Sequence, residues 1–361
     1  MSVIYFFIIL SALVLVHELG HFLVAKYFKI RVDEFGLGYP PRAASLFSWK
    51  GTLFTLNWLP FGGFVKIFGE NPAEAEDSLE DKGRDNFQSK NRGIQAAVLV
   101  AGVVGNFLFA WLLISLGFMS GLPSPLGVGL PVTDAHTVIT TVVKDSPADL
   151  GGLKSGDTLE KLYRDSRESD LNPDSASEFI GSSPESLTFV VQRGEETLTK
   201  VIIPKEGIVP GKVGVGVALD TVGTVQLSLF KAMYEGFRVT TRLTYLTATS
   251  LLAFIGQAFV GHADLSQVTG PVGLVGMVGD VRVLGFVYLL SFTALISINL
   301  SVVNLLPIPA LDGGRLLFVA IESIIRRPIS PKVFNRANMI GFTLLIILML
   351  LVTFRDIVHL I

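Results

Sequence analysis

Long apolar runs alternate with polar segments along this chain. Four of the runs reach the roughly 20 residues a helix needs to cross a bilayer. They extend from about Ser2 to Val24, Gln95 to Phe118, Leu284 to Leu306 and Ile340 to Phe354. The first is expected to be a span, with a secretory leader as the competing reading: it lacks a basic start and a small-residue cleavage site, and it contains His17 and Glu18. Residues 227–260 are also apolar, and 243–260 are long enough to be a marginal span, but the first half carries a polar stripe. Lys231, Glu235, Arg238, Arg242 and Tyr245 recur at spacings of three and four, which makes one polar stripe on a helix lying in the membrane interface.

Lys and Arg near the span ends set sidedness. Lys26, Lys29 and Arg31 follow the first span, and Lys90 and Arg92 precede the second. Arg326, Arg327, Lys332 and Arg336 lie between the third and fourth. Both loops read as cytoplasmic, so both termini and the stretch from Met119 to Arg282 fall outside. A fifth crossing within 243–260 would put Arg326 and Arg327 outside, so four spans are expected.

Composition agrees with this pattern. The 361 residues are 50% hydrophobic and 17% charged, against the roughly 25% charge of a soluble domain. The net charge of −2 carries no nucleic-acid footprint. With no cysteine, disulfides and thiolate metal sites are excluded, and any metal is held by His, Asp or Glu.

The first span ends in His17-Glu18-Leu19-Gly20-His21, an HExxH pattern. Helical i and i+4 positions share a face, so both imidazoles can bind one ion, and zinc suits two neutral histidines with an open position. Glu18 is then the base that takes a proton from water attacking a carbonyl carbon. Titratable side chains inside spans are functional candidates by default.

Two histidines leave zinc short of a protein ligand. Residues 304–313 read NLLPIPALDG, and Asp312 falls on the same cytoplasmic side as the histidines. Pro307 and Pro309 prevent a regular helix there, and irregular backbone at membrane depth belongs where it lines a cavity. Asp312 is the expected third ligand. Asn304 is expected to donate its amide to a developing oxyanion or to the substrate backbone.

HELGH in a first span, paired with NxxPxPxLDG after a later one, resembles the site-2 protease family of intramembrane zinc metalloproteases. The similarity is greatest to the bacterial regulator-of-sigma-E protease group, and PFGGFVK (60–66) and GPVGL (270–274) also follow that group's habits. The resemblance covers nearly the whole chain. It implies zinc bound by His17, His21 and Asp312, Glu18 as catalytic base, and Asn304 near the site. One departure is AGVVGNFLF, which has Val103 where the family carries proline but keeps Asn106 and Phe107.

In the outer part, SPADLGGLKSGD (146–157) is a pattern characteristic of a PDZ fold. Ser146-Pro147 favours a helix start, with strands expected at 158–164, 186–194 and 197–204, and an exposed loop over 164–185. Family resemblance implies permuted strands and places a carboxylate-binding loop at VGVGV, so Val213, Gly214, Val215 and Gly216 are candidate peptide-binding positions. The competing reading is a spacer that excludes bulky proteins.

Between the first two spans, residues 52–59 have strand character and Gly62-Gly63 reads as a turn. The family suggests a β-hairpin dipping toward the membrane. A helix hides its peptide bonds, so a protease needs a partner for the unwound substrate, and a strand edge at Gly62, Gly63, Phe64, Val65 and Lys66 can pair with it. Residues 70–92, acidic then basic, read as solvated.

The expected architecture is a polytopic α-helical membrane protein with four transmembrane helices, a membrane-associated β-hairpin and an inserted PDZ-like, β-rich extracytoplasmic domain. Its parts are a first half of the protease core (1–118), the PDZ domain (125–222), an interfacial helical segment (223–283) and a second half of the core (284–361). The resemblance implies a bacterial inner-membrane enzyme that cuts single-span membrane proteins after a site-1 protease has trimmed them, for example anti-sigma factors or remnant signal peptides. A non-catalytic PDZ scaffold with a structural metal site is the alternative, but such a site needs no general base. A zinc transporter would need ligands along a pathway, and one cluster stands out.

Overall fold

The computed structural model describes residues 2–70, 84–125, 130–194, 196–209, 212–262 and 268–360. The chain divides into two compact units. One comprises Met1–Ser115, Met233–Arg282 and Leu289–Ile361; the other comprises Leu116–Ala232 and Val283–Tyr288.

In the first unit the apolar runs form helices α1 (Ser2–Tyr27), α2 (Arg92–Ser120), α7 (Phe286–Asn304) and α9 (Pro331–Leu360). Among the described residues these four are long and apolar enough to cross a membrane. The fourth is longer than its apolar run, because its helix continues through polar residues at both ends. Lipid offers no hydrophobic drive for helices to associate, so small residues and interhelical hydrogen bonds hold the contacts. A Cβ on Gly20 of α1 would collide with the Ala101 carbonyl of α2, and one on Gly105 would press on the Val16 carbonyl. Ser297 and Ser301 of α7 donate to the carbonyls of Asn106 and Val103, at 2.8 and 2.9 Å.

The segment between α1 and α2 forms β1 (Val32–Trp49) and β2 (Thr52–Ile67). The sequence-based turn at Gly62-Gly63 is corrected here. The tight turn is Lys50-Gly51, both with positive φ (48° and 78°), between the paired residues Trp49 and Thr52. This is the backbone a two-residue hairpin needs. Gly62 and Gly63 lie inside β2, where Gly62 (φ 75°) abuts the Tyr39 ring and Gly63 faces Leu37. Residues 34–37 face 63–66 on one side and 53–56 on the other, so they form the middle of a small folded sheet with 62–67 along one edge. Phe22 and Ala25 of α1 anchor this sheet by packing with Ile30, Val32, Phe35 and Ile67.

Most of the expected solvated segment, residues 71–83, lies outside the described residues. Its end returns to the core: Asn86 caps a short helical turn, Phe87 joins the cluster around Phe22, and the Arg31 N–H donates to the Asp85 carbonyl.

The amphipathic stretch forms α5 (Leu229–Phe259), 31 residues long. It meets α2 where the Trp111 indole donates to the Met233 carbonyl at 2.8 Å and Gly236 lies against Ser115. Helix α6 (Pro271–Leu284) begins against α9, where Asp356 accepts from the backbone N–H groups of Gly270 and Gly273 at 3.3 and 2.8 Å.

The second unit is built on a seven-stranded sheet of order β3-β11-β4-β5-β7-β8, with β6 beside β5. The strands are β3 (Leu122–Pro125), β4 (Thr133–Val142), β5 (Thr158–Arg164), β6 (Arg167–Glu168), β7 (Leu187–Arg193), β8 (Glu196–Ile202) and β11 (Val217–Val225); β9 (Lys205–Val209) and β10 (Lys212–Gly214) pair separately. Its core includes Ile139, Leu159, Leu162, Phe189 and Val215. Ser146 caps α3 (Pro147–Leu150) as its sequence suggests. The buried Asp157 accepts two bonds from Arg193, at 2.7 and 2.8 Å, and one from the Lys154 N–H. The stretch 164–185 is not a plain loop: it contains β6 and the helix α4 (Pro173–Gly181), capped by Asn172. Its Ser and Asp residues serve as turn and cap groups, and Ala176 and Ile180 face the core.

Candidate metal centre

His17 and His21 are one turn apart on α1, and both are 7% exposed. Their rings face α2 at Gly102, where a Cβ would intrude on both imidazoles. Only glycine leaves room for two histidine rings between crossing helices. Val98, Gly102 and Asn106 recur at four-residue spacing, so one face of α2 lies along the histidine pair. His21 Nδ1 lies 2.8 Å from the Val98 carbonyl. A carbonyl only accepts, so Nδ1 carries the hydrogen and Nε2 presents its lone pair.

Asp312 opens α8 (Asp312–Ile325) directly after the proline-interrupted segment. Two glycines let that helix start so close to the segment that follows α7. A Cβ on Gly313 would strike the carbonyls of Leu305 and Leu306, and one on Gly314 that of Ile308. Ala310, at φ 80°, turns the chain before Asp312, and its N–H donates to Asn338 Oδ1 at 3.0 Å. Arg315, one turn beyond Asp312, pairs with Glu70 at the end of the β1–β2 segment.

Three donor atoms converge. Asp312 Oδ2 lies 2.8 Å from His17 Nε2 and 3.3 Å from His21 Nε2, and the two Nε2 atoms are 3.1 Å apart. Among the described residues this is the group of His, Asp and Glu side chains able to hold a metal ion. The separations match the ~3.3 Å edge of a tetrahedron with zinc–ligand bonds of 2.0–2.1 Å. Lone pairs aimed at one point repel without a cation between them, so the donor set fits zinc.

Glu18, half-buried beside His17, lies within electrostatic reach of His21, His17, Asp312 and Glu70. Asn304 ends α7, half-buried, and its side chain makes no hydrogen bond among the described residues. Gly62 to Lys66 occupy the edge segment of β2, where Gly63 to Lys66 pair on one side with residues 34–37.

The other expected binding loop is differently disposed. Val215 is buried in the second unit's core; its carbonyl accepts from the Ala148 N–H and that of Gly216 from the Val143 N–H. Gly214 pairs with Lys205, and Gly216 (φ 85°) lies against Ser146. Of the four, Val213 lines an open cavity of about 500 Å³ with residues 181–184 and 206–207. Gly102 and Val98 went unnoticed in the sequence. A glycine four residues before an in-span asparagine was the available signal, but nothing local says which helix it faces.

The profile of Peptidase family M50 matches residues 5–348. A Clostridium perfringens protein named "Putative zinc metalloprotease" is 35% identical over 99% of both chains. A similarly named Rickettsia conorii protein is 28% identical over 100% of this chain and 99% of its own. Zinc metalloprotease RasP of Geobacillus kaustophilus is 28% identical over 99% of this chain and 97% of its own. With that profile covering nearly its whole length, the chain belongs to Peptidase family M50, the site-2 proteases that its two distant motifs resemble.

Proposed function

We propose that this chain is a zinc-dependent intramembrane endopeptidase that cuts single-span membrane proteins near the cytoplasmic end of their span. The observation that carries this reading is the meeting of His17, His21 and Asp312 donor atoms within hydrogen-bond distance, on helices far apart in sequence. His17, His21 and Asp312 hold the metal. When bound, zinc supplies Lewis acidity toward a peptide carbonyl and toward water. Glu18 takes the proton of the attacking water and returns it to the departing amine. The Asn304 amide, without a partner among the described residues, is available to donate to the carbonyl oxygen as charge develops there.

The substrate lies extended along residues 62–66. Their outer edge carries no strand among the described residues, which leaves backbone groups for an unwound helix to pair with. Pairing through the backbone accepts varied sequences. The second unit is a PDZ-like module outside the cytoplasm. Its β11 is paired with β3 only at 222–225, so 217–221 keeps one edge without a strand among the described residues. Helix α4 packs against the same strand. This favours an extended peptide, such as the end left by a site-1 protease, over a pure size filter. The buried Val215 and Gly216 act there as scaffold, with 217–221 as the pairing strand.

The test is reconstitution. The purified chain in proteoliposomes, given a pre-trimmed single-span substrate, is expected to cut it within the span, to stop when a chelator strips zinc, and to resume when zinc is restored. Cleavage that persists in zinc-free protein refutes the reading.

A further inference from the structure

We infer that Asn106 is a positioning residue for the metal centre: its side-chain oxygen accepts the Nδ1–H of His17 and thereby turns the Nε2 lone pair of that ring toward the metal. The inference rests on the reading of His17, His21 and Asp312 as zinc ligands.

Asn106 lies within α2, fully buried, where an amide must be compensated by hydrogen bonds. As placed, its amide nitrogen lies 3.3 Å from His17 Nδ1, and its oxygen has no partner among the described residues. Oxygen and nitrogen of an amide have nearly the same shape, so the neighbouring hydrogens decide the orientation. Either orientation leaves one atom unpaired, and the count of bonds does not choose between them. The ring does. A neutral imidazole carries one hydrogen, so a ring that ligates through Nε2 must carry it on Nδ1. That hydrogen needs an acceptor, and Asn106 is the group within hydrogen-bond distance of Nδ1. Oδ1 therefore faces His17.

The two histidines are thus held in the same way from one helix. Val98 takes the Nδ1 hydrogen of His21 through its main-chain carbonyl, and Asn106 takes that of His17 through its side chain. A helical carbonyl keeps a second lone pair after accepting from its i+4 N–H, and the Val98 carbonyl offers it to His21; a side-chain oxygen reaches further across the crossing. Asn106 is itself fixed, because its main-chain carbonyl accepts from Ser297 Oγ at 2.8 Å. The ring orientation is therefore set by the α1–α2–α7 crossing and not by α1 alone. Partners of this kind fix tautomer and orientation, and their loss costs metal affinity.

The test measures zinc affinity by chelator competition on the full chain in detergent, together with zinc per chain and thermal unfolding of the zinc-free protein. Asn106→Leu, of similar size without an acceptor, is expected to bind zinc about 10–100-fold more weakly. Asn106→Asp can accept but cannot donate from an ionised carboxylate, and is expected to bind as tightly as the parent. Parental affinity in Asn106→Leu, or equal loss in both variants, overturns the inference. If Asn106→Leu does not fold, Asn106→Ala takes its place, with the same expected loss of affinity and the same overturning result. His17→Ala separates the two readings. If it keeps parental zinc affinity, the ligand assignment falls; if it loses zinc while Asn106→Leu does not, only the role of Asn106 falls.

Discussion

His17 Nε2 and Asp312 Oδ2 lie 2.8 Å apart although 295 residues separate them in the chain. The two groups sit on different helices, one at the end of an apolar run and one just after a proline-broken segment. The contact gives the assigned chemistry its specific consequences.

Glu18→Gln is expected to keep zinc and fold while lowering cleavage of a pre-trimmed substrate by about 10²–10⁴-fold, the usual worth of a general base. Zinc per chain and initial rates in proteoliposomes check both halves. Turnover at the parental rate would remove Glu18 from its role.

Asp312→Ala is expected to lower zinc per chain in purified protein, because two imidazoles alone leave the ion undercoordinated. Metal analysis after gel filtration is sufficient. An unchanged stoichiometry would strike Asp312 from the ligand set.

Gly102→Ala places a methyl where both imidazoles now lie. It is expected to weaken zinc binding and cleavage together. Gly256→Ala and Gly276→Ala, in helices where a Cβ meets nothing within 4 Å, serve as controls and leave both unchanged. By helix propensity alone each change would stabilise by up to about 1 kcal/mol, so a loss confined to Gly102 isolates the close approach.

Asp356→Ala removes the acceptor for the N–H groups of Gly270 and Gly273. Leaving buried donors unpaired costs about 1–3 kcal/mol. The expected result is a lower unfolding temperature in detergent, with Asp356→Asn falling between it and the parent because one oxygen remains.

A reporter fused after Val260 is expected to lie on the outer side, as a helix α5 that stays in the interface requires. A cytoplasmic signal would mean that α5 crosses and would overturn the four-span topology.

Much of this was legible in the sequence because bilayers and metals impose strict periodicities. The four spans follow from apolar length, and the histidine pair from i, i+4 spacing on α1. The strands expected at 158–164, 186–194 and 197–204 form at Thr158–Arg164, Leu187–Arg193 and Glu196–Ile202. The misreadings share a cause. Gly62-Gly63 reads as a turn because glycine permits one, but the hairpin closes at Lys50-Gly51, where strand pairing brings two residues to positive φ. The 164–185 stretch reads as loop because its Ser and Asp residues are polar, yet Asn172 caps a helix whose burial depends on the sheet beside it.

The sequence by itself determined the candidate ligand types, their helical spacing and the number of apolar helices, since each depends on local chemistry. Only the tertiary structure decided that Gly102 makes room for the imidazoles, that Val98 and Asn106 face their Nδ1 atoms, and how closely Asp312 approaches their Nε2 atoms. Those contacts join helices across 77, 89 and 295 residues of chain, and no local pattern encodes them.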